Sequence, residues 1–69
     1  MDNGQLASCL ELAKTIEILA HQAWETTTDL PERDAALVAK RHATAVRKAL
    51  EHWIADRALR AHLAAQRET

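Results

Sequence analysis

TTTDLPERD, residues Thr26 to Asp34, holds the single proline of a 69-residue chain, and long stretches nearly free of helix breakers flank it on both sides. Pro31 disfavours the α conformation at Leu30 yet suits the first turn of a new helix. Glu32 and Asp34 then put negative charge at the positive end of the helix dipole. Before the proline come three threonines, whose branched side chains disfavour helix continuation, and an aspartate that favours a turn. The stretch therefore predicts a helix stop, a short turn and a helix start, in preference to one long helix kinked at Pro31.

Working outward, the N-terminal side has the helical period. At 100° per residue Leu6, Cys9, Leu10, Leu12, Ala13, Ile16, Leu19, Ala20, Ala23 and Trp24 fall within an arc of roughly 180°, and Glu11, Lys14, Thr15, Gln22 and Glu25 fill the other side. This predicts a helix over about 5–26, capped from Asp2 or Asn3, and a turn over about 27–30. A second helix is predicted over about 31–66, with Ala35, Ala39, His42, Ala43, Val46, Ala49, Leu50, Trp53 and Ile54 on one face. The expected fold is all-α: one domain over residues 1–69, a two-helix antiparallel hairpin with a long second helix. In it Trp53 sits near Leu6 at the open end and Trp24 near Ala35 at the closed end, both as core anchors.

The two helices differ in length. At 1.5 Å per residue the second spans roughly 54 Å and the first roughly 33 Å, so more than two turns overhang. There Arg57 and Arg60 replace apolar residues, and Leu59 and Leu63 form an i, i+4 pair away from the main stripe. A break near Ala55 to Arg57 could fold the tail back as a third helix, but no Gly, Pro or cap supports one. The alternative is a second copy, because a lone two-helix hairpin buries too little area. The expectation is a C2 homodimer in a four-helix arrangement. Its dimer and core residues are Leu6, Ile16, Leu19, Trp24, Val46, Leu50, Trp53 and Ile54.

Composition narrows the function. A chain of 7.7 kDa is one domain at most, and its single cysteine cannot form an internal disulfide, so Cys9 reads as a small buried apolar residue. No basic leader opens the chain and no stretch approaches the ~20 apolar residues of a membrane span, so a cytoplasmic location is expected. His42, His52 and His62 recur every ten residues, which rules out an i, i+3 or i, i+4 metal pair. Ser8 lacks a neighbouring base, and no phosphate loop or nucleophile elbow is present. No catalytic residue, metal or cofactor is expected, and hence no enzyme.

Charge divides along the chain. Residues 1–29 carry one Lys against five acids, a net −4, and residues 30–69 carry eight Lys or Arg against five acids, a net +3. Lys40, Arg41, Arg47 and Lys48 form a strip with Thr44 that is expected on the outward side of the second helix. A solvated face is one reading of it, and a dimeric nucleic-acid-binding regulator is the sharper one. A pI near 6.4, Glu51 within the strip and the lack of a basic arm argue against nucleic acid. Ile18 points about 120° from its helix's apolar centre, and with Leu59 and Leu63 it adds apolar surface beyond a hairpin's needs. The partner-binding candidates are Ile18, Arg41, Leu59, Arg60 and Leu63. A purely structural or assembly subunit is the third class.

The second helix ends in ALEHWIADRALRAHLAAQRE, Ala49 to Glu68, with an early Trp and a late Ala-Gln-Arg. In length, helical layout and this tail the chain resembles the small anti-quorum-sensing (anti-activator) proteins of Mu-like Pseudomonas phages. The first helix and the turn match only in general character. The resemblance implies a dimeric hairpin that binds a host protein, notably a LuxR-type quorum-sensing transcription factor, and blocks it in the bacterial cytoplasm. It carries over no functional residues.

Overall fold

A computed structural model describes residues 1–67. It contains two helices, α1 (Asn3–Thr26) and α2 (Leu30–Arg67), and no strand among the described residues. They lie antiparallel as a rod of 60 × 16 × 15 Å.

Each boundary has a local cause. Asp2 starts α1 with a reciprocal capping box: the Gln5 amide donates to its carboxylate at 2.7 Å, and the Asp2 amide donates to the Gln5 side chain at 2.9 Å. At the other end Thr27 is extended, at φ −84° and ψ 140°, and α1 stops there. Asp29 then caps α2, its carboxylate accepting from the Glu32 amide at 3.2 Å and its carbonyl from the Arg33 amide at 2.9 Å. The Thr27 hydroxyl, which donates to Glu32 at 3.1 Å, ties the turn to the new helix. The stop, turn and start are thus present, and no kinked single helix forms. One detail is corrected: Leu30 is already helical. The cap at Asp29 sets the helix start, and Pro31, at the second position, donates nothing that the first turn would use.

The helices pack through a repeat of alternating four- and three-residue steps. On α1 it runs Leu6, Leu10, Ala13, Glu17, Ala20, Trp24 and on to the cap residue Thr27, and on α2 Ala36, Lys40, Ala43, Arg47, Leu50, Ile54, Arg57; all are buried or half-buried. This is the 3.5-residue period of a coiled coil, with alanines permitting close approach. Among the described residues Leu6, Ala13, Ala20 and Ala43 are buried, and Leu6 is the one large side chain of these four.

The seam corrects two expectations. The apolar stripe Ala39, His42, Val46, Ala49 and Trp53 does not face α1; these side chains are exposed. Lys40, Thr44 and Arg47, expected to point outward, turn toward α1 instead. Long basic side chains can reach acids on α1 from seam positions, which leaves the stripe without Lys, Arg, Asp or Glu outside. Cys9 is half-buried beside it.

At the open end Arg57 donates across the hairpin to the Asn3 side chain, at 3.3 Å. Beyond it α2 continues unbroken to Arg67, about 15 Å past the pairing. No third helix forms at Ala55 to Arg57.

Candidate protein-binding surface

The two long sides of the hairpin differ in chemistry. One is apolar. Cys9, Leu12 and Ile16 from α1 and Ala39, His42 and Val46 from α2 line a groove of about 460 Å³ floored by Ala13 and Ala43. Leu19 extends this face on α1 and Trp53 on α2, at 58% and 51% exposure. No carboxylate, lysine or arginine lines the groove.

The opposite side is a chain of ion pairs. Arg47 donates to Glu17 at 3.0 Å and to Glu51 at 3.2 Å. The Thr44 hydroxyl and the Arg47 guanidinium, in that order, hold the Glu17 carboxyl below the usual carboxylate range. One turn away Lys40 Nζ lies 2.8 Å from His21 Nδ1, and His21 Nε2 lies 2.6 Å from Glu25. With Lys40 donating to Nδ1, the His21 proton sits on Nε2, facing the carboxylate. Trp24 closes this end: the Arg33 guanidinium stands 4.7 Å and the Lys40 ammonium 5.8 Å from its ring centre, and His21 stacks on it at 5.9 Å.

The eight dimer and core candidates divide between these places. Leu6, Trp24, Leu50 and Ile54 line the hairpin seam, whereas Ile16, Leu19, Val46 and Trp53 stand exposed on the apolar face. Trp53 is therefore not an anchor of the hairpin core, because the seam rotates it outward. The partner-binding candidates do not make one patch. Ile18 lies on the ion-paired side, beside Glu17, His21 and Glu25, and Arg41 is exposed on α2. Leu59, Arg60 and Leu63 stand on the overhang, where Arg60 pairs with Asp56 at 2.9 Å. From Arg47, level with Glu17, to Leu63 is about 24 Å of helix.

Leu12, 63% exposed, belongs to the apolar face and was not among the candidates. The signal for it was present: Cys9, Leu12, Ile16, Leu19 and Ala23 repeat at three- and four-residue steps, a second heptad row beside the one that pairs with α2.

Among the described residues no group of three His, Cys, Asp or Glu side chains could hold a metal ion, and no helix is long and apolar enough to cross a membrane. No family model, curated protein or solved structure matches the chain.

Proposed function

We propose that this chain is a non-enzymatic protein-binding inhibitor that works as a homodimer, covering its apolar face with a second copy and using its remaining surface to bind and block another protein. The observation that carries the reading is the exposed apolar face on a hairpin whose own seam is already complete. Area supports the same view. The chain exposes 5395 Å², roughly 1,000 Å² more than a compact protein of this mass, and a standard interface takes about 800 Å² from each partner. Once that face is covered, Ile18 on the ion-paired side, Arg41 exposed on α2 and Leu59, Arg60 and Leu63 on the overhang are the candidates for contact with the target.

The resemblance to phage anti-activator proteins supplies the target class, a LuxR-type transcription factor of a bacterial host, and with it a cytoplasmic site of action. Nucleic acid is the weaker alternative, because Lys40 and Arg47 are engaged across the hairpin and only Arg41 and Lys48 of the basic strip stay outward. The test uses purified protein. Sedimentation at micromolar concentration should report twice the 7.7 kDa chain mass, and the dimer should bind a purified LuxR-type regulator and release it from its operator DNA. A monomer would overturn the dimer. A dimer that leaves such regulators untouched but is retained by DNA, with a steep salt dependence, would favour the alternative.

A further inference from the structure

Along the exposed side of α2, residues at seven-residue intervals read Glu32, Ala39, Val46, Trp53, Arg60. Seven residues are close to two helical turns, so each residue lies within about 20° of the one before, and the row runs down one continuous helix. Its order is self-complementary about the middle. Reversed against itself with Val46 as the centre, it sets Val46 on Val46, the large Trp53 on the small Ala39, and the cation Arg60 on the anion Glu32.

The row on α1 has the same property. Cys9, Ile16 and Ala23 are seven apart, and Ile16 is their centre. The two centres lie at one level of the rod, because the adjacent residues Glu17 and Arg47 bond each other across the hairpin. A single two-fold axis can therefore pass both, which is what an isologous interface requires.

We infer that the hairpin pairs with a second copy of itself in antiparallel orientation, about a two-fold axis crossing the rod at Ile16 and Val46, so that each overhang lies along the partner's closed end. This rests on the homodimer proposed above and adds its direction and register. Trp53 of one copy fills the space over the Ala39 and Ala23 of the other, and both alanines lie exposed. Arg60 meets the acidic turn at Glu32, where Asp29 and Asp34 add like charge. A parallel pairing would instead bring both overhangs together, with Arg60 and Arg67 of each copy crowded at one end. The antiparallel dimer also divides the tail: it takes Arg60 out of the set of target contacts and turns it to the partner copy, whereas Leu59, nearly a full third of a turn away, stays outside for another protein.

The experiment places a spin label on Ala65→Cys in a Cys9→Ala background and measures mass and label-to-label distance on the same sample. The expected result is a dimer mass with a distance on the order of 55 Å, set by 1.5 Å of rise per residue on either side of the axis. A dimer with labels under about 25 Å apart would overturn the antiparallel direction and leave the homodimer standing. A monomer mass, with no dipolar coupling, would overturn both. Register is tested by charge exchange. Glu32→Arg and Arg60→Glu should each raise the dimer dissociation constant roughly tenfold, because symmetry makes every contact twice, and the combined variant should restore it. Circular dichroism on each variant confirms that the hairpin is folded. If the combined variant dissociates as much as the product of the two single effects, Glu32 and Arg60 do not meet.

Discussion

Glu17, Thr44 and Arg47 make a polar triplet at the hairpin seam, and their chemistry gives a pH dependence with a definite sign. The folded Glu17 carboxyl titrates below its unfolded value because Thr44 and Arg47 favour the charged form. Its contribution to stability is therefore fully present above the unfolded carboxylate pKa, near 4.3, and is lost as pH falls through the lower folded value. The melting temperature of the wild type should fall on acidification below about pH 4.5, and Glu17→Gln should show a shallower fall over the same window. Equal slopes would mean that the triplet contributes no differential stability. This triplet was not legible in the sequence. Arg47 and Lys40 looked like surface charge, since helix periodicity sorts apolar from polar but does not say that a long cation at a seam position will reach an acid 30 residues earlier, as Arg47 reaches Glu17.

At the scale of the element the sequence was far more informative. Asp2, the threonines and Pro31 lie at the start of α1 and around the turn, because capping and turn chemistry are local. Asp29 is the decisive cap, since it accepts from the amide of Glu32 and holds α2 to its start. Asp29→Ala should cost about 1 kcal/mol and lower the melting temperature by roughly 4–8 °C, with little change in helix content by circular dichroism. An unchanged melting temperature would show that Thr27 and Glu32 hold the turn without it. What local signals did not give was the rotation of α2. Two heptad rows compete on that helix, one mostly apolar and one mixed, and the mixed row faces α1 because alanines allow close approach there and its charges find partners. An apolar stripe taken alone points to whatever buries it, which in an unknown assembly need not be the neighbouring helix.

For the whole molecule, a rod 60 Å long and about 16 Å across has little interior, and one fully buried leucine is a small core for 69 residues. Stability of the assembled protein should therefore depend on its concentration: a tenfold dilution should lower the melting temperature, as mass action requires when folding and association are linked. A concentration-independent melt would mean that the hairpin stands alone. The overhang follows from the unequal helices, but the apolar face does not follow from the surplus read in Ile18, Leu59 and Leu63: its residues Ile16, Leu19, Val46 and Trp53 read as hairpin core. Of the candidate contacts Ile18, Arg41, Leu59, Arg60 and Leu63, only the last three share a region of the surface.

The chain contains two tryptophans and neither tyrosine nor phenylalanine, and the hairpin gives the two rings opposite surroundings. Trp24 lies half-buried at the end of the seam under Arg33 and Lys40, and Trp53 stands exposed on the apolar face. Each indole therefore reports a different event in the fluorescence spectrum. In Trp53→Phe the emission of Trp24 should follow closure of the hairpin, and well below the melting temperature, where the hairpin stays closed, it should not change on dilution. In Trp24→Phe the emission of Trp53 should move to the red as the protein is diluted and the ring returns to water. The intrinsic colour of the protein thus separates folding from assembly without a label, with one chromophore for each.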